Sequence, residues 1–124
     1  MEKLKFDTGV RCYKVGFGVL RFNPADPNLY SRFQNALEQL EALQTQLQDK
    51  EDLLDALCEA DRQVKAILGQ VFGPENDMEA IFGGMNLLAV GGNGQRLLEN
   101  FLEAIEPVLH AGARRCAQLE AQQL

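Results

Sequence analysis

Hydrophobic and charged positions alternate at the start of the chain. Leu4 and Phe6 are flanked by charged residues, which is the two-residue period of a β-strand. Further short runs with this period follow, separated by glycines at positions 9, 16 and 18. The pattern predicts a two- or three-stranded antiparallel β-meander over residues 1–23.

A helix is predicted to begin directly after this meander. Asp26 suits the N-cap position, and Pro27 suits the first helical position, where a missing N–H has no cost. Apolar residues then recur at alternating steps of four and three as far as Leu47. This heptad spacing predicts an amphipathic helix over residues 27–48 with a narrow apolar seam.

A second amphipathic helix is predicted over residues 50–72. Asp49 is its expected N-cap, and Phe72-Gly73-Pro74 is a typical stop signal. The spacing alone allows either a helical hairpin or one long bent helix for residues 27–72. We favour the hairpin because each helix carries its own apolar stripe.

The last third of the chain divides into two parts. Residues 74–94 predict a short helix followed by a flexible glycine-rich segment that exposes apolar side chains. Residues 95–121 predict a final helix in which Pro107 causes a kink or a break. The expected fold is a single α+β domain over 1–124, an N-terminal antiparallel β-meander followed by a bundle of three long helices and one short helix.

Composition and charge limit the classes of function. The 124 residues are 46% hydrophobic and 24% charged, as in an ordinary folded domain. The net charge is −6, but residues 1–22 carry five basic and two acidic side chains, so the acidic excess lies in the rest of the chain. An acidic body argues against binding nucleic acid. A basic edge beside it suggests a homo-oligomer, with one copy docking on another.

The sequence contains no apolar run long enough to span a membrane and no visible signal peptide. We therefore expect a protein of the cytoplasm, without membrane contact.

Candidate catalytic groups are sparse. His110 is the only histidine and Ser31 the only serine, and neither lies in a recognisable catalytic motif. The three cysteines are widely spaced and are expected to be buried apolar residues rather than zinc ligands or disulfides. These observations predict no enzyme activity, no cofactor and no metal site.

Acidic residues cluster between positions 49 and 61 without the spacing of a calcium-binding loop. They are expected to form a solvated helix face. Asp61 is different because it lies close to the apolar stripe, where it is placed to cap a backbone group or to pair with a cation.

Several sequence blocks together resemble one family. Residues 19–33 read VLRFNPADPNLYSRF. Further along the chain come Cys58 and Asp61, the FG pair at 72–73, the IFGG run at 81–84 and the FLEAIEP run at 101–107. This combination resembles the small tail-assembly-chaperone-like proteins of long-tailed phages and prophages of Gram-positive bacteria.

The resemblance implies a non-enzymatic chaperone that binds the tape-measure protein and tail-tube subunits in the bacterial host cytoplasm. The partner-facing residues expected from the sequence are Arg21, Phe82, Met85, Leu87 and Leu88. Two alternatives remain open. One is a permanent structural tail component, such as an oligomer associated with the tube or terminator. The other is an unrelated coiled-coil adaptor, in which residues 27–72 would dimerise.

Overall fold

Two short strands and four helices follow an N-terminal segment without regular secondary structure in the computed structural model, which describes residues 1–48 and 51–123. The strands are β1 (Arg11–Val15) and β2 (Gly18–Phe22). The helices are α1 (Pro27–Leu47), α2 (Leu53–Phe72), α3 (Met78–Ile81) and α4 (Leu97–Gln123). The predicted fold class, an α+β domain with a helical bundle after an N-terminal antiparallel hairpin, is confirmed.

The sheet is a hairpin of two strands. β1 and β2 pair antiparallel, with Arg11 opposite Phe22 and Val15 opposite Gly18. Residues 1–10 are exposed and form no strand, so the predicted strand around Leu4 and Phe6 is absent from the sheet. The alternation is present in the sequence, but a strand also needs a neighbour to satisfy its backbone hydrogen bonds.

Helix α1 forms as its local signals predict. The Asp26 carboxylate accepts a hydrogen bond from the backbone N–H of Asn28 at 2.9 Å, and Pro27 occupies the first turn. All six apolar seam residues are buried: Leu29, Phe33, Ala36, Leu40, Leu43 and Leu47. The heptad spacing therefore identified the buried face of α1 correctly.

Helices α1 and α2 form the expected hairpin. They pack along each other, and the Arg32 Nε donates to the carbonyl oxygen of Val71 at 3.0 Å, near the C-terminal end of α2. Asp52, rather than Asp49, caps α2 by accepting from the backbone N–H of Asp55 at 3.3 Å. Asp49 lies outside the described residues.

The glycine-rich segment is better anchored than its composition predicts. Only α3 is helical, and the following turns are held by backbone hydrogen bonds from Leu98 to Leu87 (2.8 Å) and from Leu97 to Ala89 (2.9 Å). These bonds bring the segment against the start of α4, so Leu87 and Leu88 enter the core, while Met85 and Val90 stay exposed.

Helix α4 continues through Pro107, so the predicted break does not occur. Its buried residues recur at helical spacing and end at Gly112, which touches the turn before α1. A Cβ at Gly112 would overlap the carbonyl oxygen of Pro24 and lie 2.9 Å from the backbone nitrogen of Ala25. The closest approach of α4 to the strand–helix junction thus requires glycine.

Asn76 completes the outer edge of β2. Its Oδ1 accepts from the backbone N–H of Arg21 at 2.8 Å, and its Nδ2 donates to the carbonyls of Arg21 (2.9 Å) and Phe72 (2.8 Å). A buried side-chain amide thereby makes the backbone bonds that a third strand would make.

We expect Asn76→Ala to lower the free energy of unfolding by about 2 kcal/mol or more, because it leaves backbone groups of Arg21 and Phe72 without partners. Urea denaturation followed by circular dichroism measures the change. Asn35→Ala, at an exposed position of α1, is the matched control and should stay within about 0.5 kcal/mol of the wild type. Equal effects of the two substitutions would contradict the edge-completing role of Asn76.

Candidate interaction surfaces

The five partner-facing residues predicted from the sequence do not share one environment. Leu87 is 0% exposed and Leu88 is also buried, so the prediction that these two face a partner is wrong. The cause is the backbone of Leu87, which donates its N–H to Asp61 and accepts from Leu98, fixing its side chain inside. Arg21, Phe82 and Met85 remain at least partly accessible.

Phe82 and Met85 follow α3, which packs against β2, the strand that carries Arg21. The Arg21 side chain is exposed while its backbone is held by Asn76. The Phe82 ring meets the edge of Phe101 at a centroid separation of 5.2 Å, so it is half-buried. Met85 is 42% exposed.

Phe17, in the turn between β1 and β2, is a further aromatic residue at this surface, and no sequence motif indicated it. The backbone N–H of Phe17 donates to the carbonyl of Ile81 at 3.0 Å, and its ring covers Gly83, leaving no room there for a side chain. Phe17 is nevertheless 71% exposed. The only sequence signal for it is an aromatic residue between the two turn glycines. We name Phe17, Phe82 and Met85 the tip surface.

A partly buried ionic cluster, in which Lys65 and Asp61 are buried and Glu79 is exposed, holds the segment behind this surface. The Lys65 Nζ lies 2.9 Å from both Asp61 Oδ2 and Glu79 Oε2. The other Asp61 oxygen accepts from the backbone N–H of Leu87 at 2.8 Å. The expectation that Asp61 caps a backbone group or pairs with a cation is confirmed, with both partners inside the chain.

The cluster also changes the proton affinity of Lys65. Burial by itself lowers the pKa of the ammonium group, but hydrogen bonds to Glu79 and Asp61, together with their negative charges, more than offset it. The net result is a raised pKa for Lys65. The group therefore stays charged over the whole physiological range, as a structural cation rather than a proton donor.

A groove opens between α1 and α2 at the end of the helical hairpin. Its volume is about 370 Å³, and its lining combines apolar residues with an acidic rim. The apolar residues are Leu43, Leu47, Ala56 and Ala60, and the acidic ones are Glu51, Asp52, Asp55 and Glu59. We name this feature the hairpin groove. The predicted solvated acidic face exists, but the sequence did not show that it borders an apolar floor.

The sequence-predicted chemical groups are dispersed. His110 Nδ1 lies 3.3 Å from the hydroxyl of Tyr30 at the surface, and Ser31 is exposed on α1. Within residues 1–48 and 51–123, no three histidine, cysteine, aspartate or glutamate side chains are grouped to hold a metal ion. None of the helices described there is both long and apolar enough to cross a bilayer.

The expectation that the cysteines are mostly buried is wrong. Cys12 and Cys58 are exposed and Cys116 is half-buried, and all three are free thiols. Cys12 lies on the exposed face of a two-stranded sheet, and Cys58 lies on the solvent side of α2. Residue type alone favours burial, whereas the face of the element decides it.

Comparison with known proteins gave no match to a family model, a curated protein or a solved structure.

Proposed function

We propose that this chain is a non-enzymatic phage tail-assembly protein, a chaperone that binds the tape-measure protein and tail-tube subunits in the bacterial cytoplasm. Two lines support the proposal. One is the resemblance of the VLRFNPADPNLYSRF block and the later FG and IFGG glycines to that family. The other is the tip surface, where the apolar side chains of Phe17 and Met85 are exposed.

The exposure of Phe17 and Met85 is the observation that carries the proposal. Both flank Gly83, in the same IFGG run that contributes to the resemblance. An exposed aromatic ring and a flexible thioether suit an amphipathic helix, because methionine adapts its shape to different apolar anchors. A tape measure offers such anchors repeatedly along its helices, which would let several copies bind one molecule.

The chain's own packing bears on the coiled-coil alternative. All six seam residues of α1 are at most 9% exposed and pack inside the chain, largely against α2, so α1 has no continuous apolar seam left for a coiled-coil partner. The remaining alternative is a permanent tail component. A fixed number of copies of this chain in finished tails would favour it over a chaperone.

We expect Phe17→Glu combined with Met85→Glu to reduce capture of the tape-measure protein at least about tenfold, because two charges would face an apolar partner. The assay is co-expression with the tape-measure protein of a long-tailed phage of Gram-positive bacteria, followed by affinity capture and quantitative mass spectrometry. Circular dichroism verifies that the variant is folded.

Val90→Glu is the matched control. Val90 is also an exposed apolar residue, at 70% exposure, but it lies outside the tip surface, in the turn before α4. The control should capture the tape measure as the wild type does. Two results would overturn the assignment of the tip surface. One is capture by the double variant at the wild-type level, and the other is an equal loss of capture by the Val90→Glu control.

A further inference from the structure

The N-terminal segment before the sheet has the composition of a docking strand. Residues 3–7, which we name the arm, read KLKFD, and Leu4 and Phe6 are 90% and 78% exposed. In an extended conformation these two side chains share one face and the two lysines share the other. The segment is tethered at its base, where Asn23 Nδ2 donates to the carbonyl of Thr8 at 3.0 Å.

The hairpin groove is complementary to the arm in both polarity and charge. Its floor is apolar and its rim carries four carboxylates. An extended strand lying there would direct Leu4 and Phe6 into the floor and leave Lys3 and Lys5 on its outer face, from which their long flexible side chains can reach the carboxylates of the rim. The exposed apolar face of the arm and the open floor of the groove are thus matched surfaces.

The arm cannot reach the groove of its own chain. From Thr8 to Leu4 the extended chain spans about 13 Å. The tether at Asn23 lies before the first turn of α1, and the groove begins at Leu43, about 24 Å further along the helix axis. The arm therefore covers only about half of the distance.

We propose that the arm of one copy lies in the hairpin groove of a second copy. The two surfaces lie at opposite ends of α1, so the contact is head-to-tail and leaves an unused arm and an unused groove on each pair. Such contacts build a row of copies or a closed ring. This association does not depend on tape-measure binding.

The other open edge for an extended strand is β1, because Asn76 occupies the outer edge of β2. The exposed side chains of β1 include Arg11 and Lys14. Two lysines of an incoming arm would meet like charges there, whereas the groove offers carboxylates. Electrostatics therefore favours the groove over addition to the sheet.

A short arm buries far less area than the roughly 1,200 Å² of a stable interface, so we expect association at concentrations of about 10 µM to 1 mM. Sedimentation velocity over that range measures it. The mean mass should rise with concentration, and the rise should weaken when salt increases from about 50 to 500 mM, because exposed charge pairs are screened.

Charge-reversed variants test the contact directly. Lys3→Glu with Lys5→Glu alters the arm, and Asp55→Lys with Glu59→Lys alters the groove rim. Each variant alone should lose association, and a mixture of the two should regain it, since the intact arm of one variant meets the intact groove of the other and the reversed arm meets the reversed groove. The matched control combines Glu103→Lys with Glu106→Lys on the exposed face of α4. It changes the net charge by the same amount as the groove variant and should still associate.

Three results would overturn the proposal. The first is a wild type that remains monomeric across the whole concentration range. The second is association that survives both charge reversals or fails to return in the mixture. The third comes from a synthetic peptide of residues 1–8 added to isotope-labelled protein: amide shifts along β1 instead of around the groove would assign the arm to the sheet edge.

Discussion

Gly112→Ala is expected to lower the free energy of unfolding by about 3 kcal/mol, although alanine is the better helix former. The added Cβ would overlap the carbonyl oxygen of Pro24. Neither atom can be moved by side-chain rotation, because the backbone fixes the position of both. Relief requires α4 to move from the strand–helix junction, which opens the packing around it. Guanidinium denaturation followed by far-ultraviolet circular dichroism measures the loss.

Gly69→Ala is the matched control, because it makes the same change inside another helix. Gly69 lies in α2, and nothing stands within 4 Å of the Cβ that alanine would add. Helix propensity alone then operates and should raise the free energy of unfolding by about 0.5–1 kcal/mol. Changes of the same sign in both variants would contradict the close contact between α4 and the turn.

Lys65→Met is expected to lower the free energy of unfolding by about 3 kcal/mol, since it leaves the buried Asp61 carboxylate without its cation. Thermal and urea denaturation measure the effect. Arg62→Met removes a cation from the same helix, but the Arg62–Glu59 pair is exposed and should contribute less than about 1 kcal/mol.

Two substitutions of Asp61 separate its two roles. Asp61→Asn retains an oxygen that accepts from the backbone N–H of Leu87, whereas Asp61→Leu removes both the acceptor and the charge. We expect the leucine variant to be the less stable of the two. An asparagine variant as unstable as the leucine variant would assign the whole effect to the ion pair.

The raised pKa of Lys65 fixes the sign of a pH effect. The folded state holds the proton more tightly than the unfolded state, whose lysine pKa is 10.5. The stabilisation is therefore complete below that value and declines as pH rises through the higher folded-state pKa. The wild type should lose more stability than Lys65→Met between about pH 9 and 12, because only the wild type has this proton to lose.

Helix α1 shows what the sequence can predict unaided. Its cap at Asp26, its proline at the first position and its apolar seam are all local signals, and the structure contains each of them. The N-cap predicted for α2, Asp49, differs from the observed one because several acidic residues in this stretch can cap a helix. The helix uses Asp52, and Leu53 at its first position is exposed rather than buried.

Contacts between distant residues account for the main failures. Leu87 follows a glycine-rich stretch and was assigned to the surface, yet a hydrogen bond to Asp61, 26 positions earlier, draws it into the core. The burial of Lys65 was not predicted either, because it depends on two carboxylates that compensate for it, one of them on another helix. Periodicity reports one element at a time, so it could not show the hairpin groove either.

The contact between Pro24 and Gly112 has a consequence for synthesis on the ribosome. The β-hairpin emerges before the helices. It is completed by Asn76, which lies 55 positions after the Arg21 backbone that it binds. The turn after the hairpin is covered by α4. The nascent β-hairpin therefore cannot complete its packing until these later residues are synthesised. The helical hairpin of α1 and α2 forms earlier, through contacts between residues that are closer in sequence. A chain released before Gly112 would present its junction uncovered, in the form most prone to misassembly.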